Sequence, residues 1–586
     1  MSFAVGSKRS GWVATWFKID SIIENYPDYA ESLKQNVNSL AAKENLQASY
    51  EWLEWFESTY KKISKYPRLR KSLEFRMKSM IDESGIQFAC DWFRQFELKH
   101  LRLNTSFLTV ETNDVAVVEE ARVMAKKCER SINDELIAIK QRGATGAYCM
   151  KSAERICIAI CEGAGVKLPK SGDVGGCEKA KIDAIYKRLI CDKWWRRQFR
   201  TLQARKLEHA ARVLGLVCKN KGGYCSYPTL WRRKEQKGRN RHLLEMLEAE
   251  NEQGQVYTLA QLSDLGVSNP MNRRAELMTR ISGFEEVAEE IEGWTPVFIT
   301  QTCPSRYHSH NRSGVENPKW NHSTPRDAQK YLSSVWAKVR SAYARAEITV
   351  FGFRVAEPHH DGCPHWHSLL WFPSHQVELA MQIYEAYALQ DEPPPKGKEG
   401  VRFKAAFDEV ANGATSYIAK YISKNVDGLK ADGEAWDANV VKTAIRTEAW
   451  AGTWGIRQFQ QIGGPSVTVY REMRRLRDEY LDCEEVEKIR KSADDGNWKQ
   501  YVIQMGGPVS PLKARPLRAF MVKKLDEAKE GLKNRYGEFI WSLRGVMAYE
   551  FLPVVTRVHE WVVRPVKKLK ELGFEVGASP PLDLCQ

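Results

Sequence analysis

The spacing of apolar and polar positions changes character near residue 290. From about residue 12 to 165, segments such as "SYEWLEWFESTYKKISKY" return an apolar residue every three or four positions, the period that lines one face of an α-helix. The stretch "GVKLPKSGDVGGCEK" at 165–179 breaks that period with glycine, proline and lysine and is expected to form a linker or exposed loop. Beyond 290 the runs shorten and alternate. "TPVFITQTCPS" reads as a buried strand ended by proline, and "PRDAQKYLSSVWAKVRSAYARAE" as an amphipathic helix with proline near its start. "ITVFGFRVAE" and "HWHSLLWF" read as two strands of a hairpin turning at "HHDGCP". A helix ("SHQVELAMQIYEAYAL"), a strand ("VRFKAAFDEV") and a last helix ("ATSYIAKYISKNV") follow. The order β-α-β-β-α-β plus a helix predicts an α+β fold, a ferredoxin-like antiparallel sheet with helices on one face. The expected organisation is a helical region at 1–165, a basic helical region at 180–290, the sheet domain at 291–430 and a mixed C-terminal region at 431–586.

The hairpin carries unusual chemistry for an apolar strand. Successive strand side chains point to opposite faces, so His365 and His367 share one face and Trp366 takes the other. A turn centred on Asp361 and Gly362 would place Glu357 near His365 across the ladder, giving a His/His/Glu set that leaves coordination positions open. Eight of the 12 histidines lie between His308 and His375, which favours a local site over scattered structural imidazoles. His359 and His360 are rival third ligands. The pair His308 and His310 lies in a polar loop and is expected to touch DNA or solvent. In the last helix Tyr417 and Tyr421 are four residues apart, hence on one face, and each is followed three residues later by a lysine, Lys420 and Lys424. A phenol titrates near pH 10 and needs nearby positive charge to act as a nucleophile. Two core tyrosines on an amphipathic helix are the alternative.

Composition narrows the partner. A chain of 586 residues with 43% hydrophobic and 11% aromatic residues is a folded protein of several domains. Its formal charge of +15 favours a polyanion, and 19 Trp with 22 Tyr supply rings for base stacking. Two basic clusters, "KWWRRQFRTLQARK" with Arg196 and Arg197 and "WRRKEQKGRNRH" with Arg232 and Arg233, suit a nucleic-acid backbone. The segment around Trp450 and Trp454, with Arg457, is expected to line a single-strand groove. The start "MSFAVGSKRSGW" has no apolar core for export, and no run of about 18 apolar residues occurs, so a cytoplasmic protein with no membrane contact is expected. The 13 cysteines then read as reduced thiols, with a zinc site from Cys149, Cys157, Cys161, Cys177 or Cys191 as the alternative.

These residues resemble the HUH endonuclease superfamily, in which a strand-borne His-hydrophobic-His motif and a helix-borne tyrosine cleave single-stranded DNA. Within it, "FITQTCPSRYH", "GCPHWHSLLWF" and "SYIAKYISKNVDG" resemble three motifs of the bacteriophage replication gene A protein family, rolling-circle initiators of temperate tailed phages. "RNRH", "NPMNRRAELMTRISGFE" and "WAGTWGIRQFQQIGGPSVTVYREMRRLR" look like family segments outside the nuclease core, so the resemblance runs from roughly 190 to 480. Gln301 departs from a position often apolar in such initiators, and its side chain is expected to face away from the core.

The resemblance implies a site-specific nick in single-stranded DNA at a phage origin, in the cytoplasm of the bacterial host, through a 5′-phosphotyrosine. By it His365, His367 and Glu357 hold magnesium or manganese, Tyr417 and Tyr421 are nucleophiles assisted by Lys420 and Lys424, and host helicase and polymerase extend the free 3′ end. A two-tyrosine HUH transposase or a plasmid relaxase would share this chemistry. A non-catalytic DNA-binding regulator is the reading from another class.

Overall fold

The computed structural model describes residues 15–566 apart from 44–45, 106, 144–145, 292, 398, 408–412, 427–437, 478–480, 527–528 and 550–551. The chain forms two compact units, Met1–Leu216 with Lys533–Glu538, and Val217–Leu532 with Phe539–Gln586.

The first unit is helical where the 3.6-residue period predicts it. Helices Ala30–Lys43, Leu46–Ile63, Arg70–Ser84 and Ile86–Phe96 enclose a core that includes Leu53, Phe56, Leu73, Met77 and Phe93. Helices Asp114–Gln141, Gly146–Gly163 and Asp192–Val213 share a second core holding Cys128, Cys157 and Cys161 with Trp194 and Trp195. The tryptophans of the first basic cluster are therefore core residues, and their alternation with arginine is ordinary helix amphipathicity. The 165–179 stretch does not divide the units. It lies within the first, where the Gly172 amide donates to Glu538, which also accepts from Arg188 at 2.8 Å.

The second unit is built on a five-stranded antiparallel sheet. Its strands are β1 (Trp294–Thr302), β2 (Phe351–Pro358), β3 (Pro364–Pro373), β4 (Phe403–Ala406) and β5 (Phe459–Ile462), in the spatial order β4-β1-β3-β2-β5. The helices that matter for it are α1 (Pro270–Glu290), α2 (Pro325–Arg345), α3 (Val377–Leu389), α4 (Ala414–Val426) and α5 (Ala438–Trp454). Strand alternation sorts the side chains between two cores. Val297, Ile299, Leu370 and Phe372 pack with Val339 of α2 and Tyr384 of α3. Phe298, Phe353, Leu369 and Trp371 pack on the opposite face with Phe284 of α1 and Ile418 of α4. Helices thus cover both faces, where the sequence pattern predicts one, and this is why the strands read as near-continuous apolar runs. Gln301 also differs from expectation. It is 1% exposed and accepts a hydrogen bond of 3.1 Å from the Tyr384 hydroxyl, so it points into the core as the partner of a buried phenol.

The mixed C-terminal region contributes two further three-stranded sheets. One joins Leu517–Lys523, Trp541–Ala548 and Leu552–Val555; in the other, Leu247–Asn251 is central, with Trp561–Pro565 on one side and Val256–Thr258 on the other.

Gly352 in β2 has φ +147°, and a Cβ there would lie 2.1 Å from the Leu369 carbonyl oxygen on β3. Both the backbone angle and the contact exclude a side chain. Gly352→Ala is expected to lower unfolding free energy by at least about 2 kcal/mol, which a denaturant melt would read; an unchanged midpoint would refute the account.

Candidate active site

The hairpin β2–β3 sets the site by register. Glu357 pairs with His365 and Val355 with His367, while on the other side of β3 His365 faces Thr302 and His367 faces Thr300. The turn closes through the His359 amide donating to Cys363 O at 2.7 Å, with Gly362 at φ +79° and the buried Asp361 carboxylate accepting from the Cys363 and Ser309 amides. Residues 365 and 367 have the parity of Leu369 and Trp371, so both imidazoles face α4.

There the polar atoms of Glu357, His365 and His367 all lie within 4.8 Å of one another. His365 Nε2 and His367 Nε2 are 2.8 Å apart, and Glu357 Oε2 lies 3.9 and 3.7 Å from them. Bonds of about 2.0–2.2 Å to one cation would set neighbouring donor atoms about 3–3.6 Å apart, so side-chain shifts of a few tenths of an ångström would bring the three groups onto a divalent ion. The surroundings fix each ligand. His367 Nδ1 meets Thr300 Oγ1 at 3.1 Å, which turns its Nε2 toward the cluster. Glu357, 2% exposed, accepts from Asn425 Nδ2 on α4, and that amide also reaches Tyr421 O at 2.6 Å. Among the described residues no other group of three His, Cys, Asp or Glu is placed to hold a metal. Of the cysteine candidates Cys157 and Cys161 share one buried core while Cys177 is exposed, and no three of them come together.

The rival histidines have other work. His360 Nε2 lies 3.1 Å from His310 O. His359 packs its ring 4.0 Å from that of His365, and burial, then the neighbouring His308, push its pKa down to about 3, so it is neutral. His308 and His310 are not a DNA-facing loop pair. His310 is 5% exposed, and His308 Nδ1 lies 3.4 Å from buried Asp361. Burial opposes charge on His308, but Cys363 and Asp361 outweigh it and hold its pKa well above the usual imidazole value.

The cluster opens on a cavity of about 350 Å³, whose wall includes Tyr421, Lys420, His359, His360 and Tyr224. The Tyr421 ring lies 4.3 Å from that of His367. Tyr417, one turn earlier, packs edge-on to Phe298 at 4.5 Å and is not part of the cavity wall. Helix α4 is tied at its start, where the Glu285 carboxylate accepts from the Ala414 and Thr415 amides at 2.6 and 3.2 Å. The Lys424 side chain lies outside the described residues.

The expected DNA contacts divide. Trp454 and Trp450 are 1% and 0% exposed, in a core with Trp366 and Leu332, so neither can stack on a base. Arg457 is exposed, beside β5. Arg233 is bound to Glu448 at 3.3 Å, while Arg232 is half-buried. In the first unit, exposed Arg197 donates to the Tyr536 hydroxyl at 3.3 Å, and half-buried Arg196 follows core Trp195. Sequence reasoning missed Thr300, Asn425 and Tyr224. Asn425 was discoverable, since it stands four residues after Tyr421 on the same helix face. Thr300 and Tyr224 join the site through strand pairing and a distant loop, which no local pattern reveals. Asn425→Ala is expected to weaken Mn²⁺ binding about 10–100-fold, read by calorimetry, because it frees the Glu357 carboxylate; unaltered affinity would remove Asn425 from the site.

A buried carboxylate and two imidazoles placed to hold a cation thus share a cavity wall with a phenol and a lysine. The chain matches the bacteriophage replication gene A protein family over residues 116–429, and it belongs to that family. The match begins 74 residues before the expected limit at 190, within the helical first unit, and ends at 429. The replication gene A protein of Escherichia phage 186 is 39% identical over 419 residues, 69% of this chain and 59% of that protein. The replication gene A protein of Escherichia phage P2 is 34% identical over 417 residues, 67% of this chain and 54% of that protein. A probable replication endonuclease from a prophage-like region of Salmonella typhi is 33% identical, covering 67% of this chain and 51% of that protein. The chain therefore spans between half and three fifths of the length of these relatives. No solved structure matches. Among the described residues no helix is long and apolar enough to cross a membrane.

Proposed function

We propose that the chain is a phage replication initiator that nicks one strand of an origin and keeps the cut end as a 5′-phosphotyrosine. The observation that supports this most is the convergence of Glu357, His365 and His367 on a cavity that also admits Tyr421 and Lys420. Strand order β4-β1-β3-β2 with both crossover helices on one face supports reading the sheet as ferredoxin-like and, with it, as an HUH nuclease core.

A magnesium or manganese ion held by the three ligands would polarise a non-bridging oxygen of the scissile phosphate. Tyr421 Oη attacks phosphorus; the new Oη–P bond forms as the P–O3′ bond breaks. The phenol proton leaves to solvent and the 3′ oxygen takes one up, so a free 3′ hydroxyl results and the energy of the phosphodiester is retained. Lys420, exposed on the rim, offsets the charge that develops on the phosphate. Tyr417, one helical turn away, supplies a second phenol for the return cut. Single-stranded origin DNA is the substrate, and host helicase and polymerase act on the product in the bacterial cytoplasm. The relatives' names, which refer to replication, favour this over a transposase or relaxase.

The test is a covalent-adduct assay with labelled single-stranded origin DNA and Mn²⁺ or Mg²⁺ on denaturing gels. A protein-linked 5′ end that disappears with chelator is expected. Cleavage without an adduct would replace the tyrosine by water, and absence of cleavage with either ion would leave a DNA-binding protein.

A further inference from the structure

We propose that Tyr224, Tyr227 and Trp231 form a stacking track along which single-stranded DNA runs to the catalytic cavity. This rests on the reading of the cavity as a nuclease site and names how that site receives its strand.

The track begins in a loop built against its own backbone preferences. Gly222, Gly223 and Tyr224 have φ of +99°, +60° and +64° in succession. Glycine adopts such angles freely, whereas a tyrosine there is strained and persists only when its surroundings impose it. The imposing contacts are the Tyr224 amide donating to His360 O at 3.3 Å, and the buried Arg446 guanidinium donating to Gly223 O at 3.0 Å and to Cys225 O. Their effect is to hold the half-buried Tyr224 in the cavity wall beside the histidines.

Two residues later Ser226 caps the helix Tyr227–Glu245. Thr229 is the one residue of this helix that is buried, yet the helix carries two large rings on one face, Tyr227 at 58% and Trp231 at 59% exposure. Rings that open to solvent are not core. Each has a cation over it: Arg446 lies 4.7 Å from the Tyr227 centroid, and Lys234 Nζ 5.4 Å from that of Trp231. Glu448 engages Arg233 and Lys237, which leaves Lys234 with Trp231 as the pair turned outward.

Basic surroundings select a polyanion over an apolar protein partner, and spacing selects the single strand. Four helical residues advance about 6 Å, more than the about 3.4 Å between stacked bases of a duplex, so each ring receives one base of an unstacked strand. Stacking on an exposed ring reads no sequence, which suits a conduit into a site whose specificity lies elsewhere.

The experiment measures binding without cleavage. Fluorescein-labelled oligothymidine of about 20 nucleotides and a duplex of equal length are titrated in chelator by anisotropy against the full chain. Trp231→Ala, Tyr227→Ala and Tyr224→Gly, which keeps the left-handed backbone without a ring, are each expected to weaken single-strand binding about tenfold. Duplex affinity should change less than about twofold and Trp231→Phe should restore most of the loss, since ring stacking and not charge is removed. Oligonucleotides carrying 5-iododeoxyuridine should photocrosslink to these three residues in wild type. Unaltered single-strand affinity, equal losses on both DNAs, or crosslinks mapping only elsewhere would each overturn the track. Because no cleavage is needed, a wild-type chain that forms no covalent adduct would sink the nuclease reading while leaving this result to stand or fall alone.

Discussion

Tyr421→Phe is expected to cut covalent attachment to single-stranded origin DNA by at least about 10³-fold, whereas Tyr417→Phe keeps a first cleavage within about tenfold of wild type. The asymmetry follows from position. Tyr421 forms part of the cavity wall with its ring 4.3 Å from that of His367, while Tyr417 is packed edge-on to Phe298 at 4.5 Å. Tyr421 also stacks on Phe298, at 5.4 Å, so the difference between the two rings is access to the cavity, and a phenol outside that wall suits a second cut made after the first product has changed the site. Both variants keep the ring, and a thermal melt of each tells a lost nucleophile from a lost fold. The adduct assay with each single variant and the double decides the matter. Equal adduct from both single variants would make the tyrosines interchangeable and deprive the cavity geometry of meaning for their order.

His367→Ala and Glu357→Gln are expected to lose both ion binding and strand cleavage, the latter by at least about 10²-fold. His367 is held from one side by Thr300 and Glu357 from another by Asn425, so each presents its remaining donor atom in a fixed direction. Replacing either would leave two of the three side chains placed to hold an ion. A ligand bound only by the native state stabilises it, by about 2.7 kcal/mol at one hundred times its dissociation constant. Wild type should therefore melt at a higher temperature in Mn²⁺ than in chelator, and neither variant should. A variant that retains the Mn²⁺ shift but loses cleavage would place that residue on the substrate instead. A wild type with no shift would remove the cation site altogether.

The helical first unit and the strand–helix alternation after residue 290 were legible because burial imposes a period, 3.6 in helices and two in strands, on any sequence that folds this way. The hairpin was legible for the same reason plus a turn dipeptide, Asp361–Gly362, which fixes register and with it the pairing of Glu357 to His365. The expected tryptophan groove failed at Trp454, and the interleaved Trp194 and Trp195 failed as stacking rings. Aromatic residues beside arginines have one signature in sequence whether the ring is buried or bare, and only packing against Trp366 or Phe199 tells the two apart. Of the tryptophans in the two basic clusters and the expected groove, Trp231 is the one the fold exposes.

By itself the sequence determined which residues share a face: His365 with His367, and Tyr417 with Tyr421, because both relations are local and set by backbone period. Only the tertiary structure decided which of these faces meet. Glu285 fixes the start of α4, Asn425 ties that helix to Glu357, and the loop at Tyr224 closes the cavity from more than a hundred residues upstream. Those contacts join segments distant along the chain, and their free energy depends on how whole layers pack, which no local pattern of apolar and polar positions encodes.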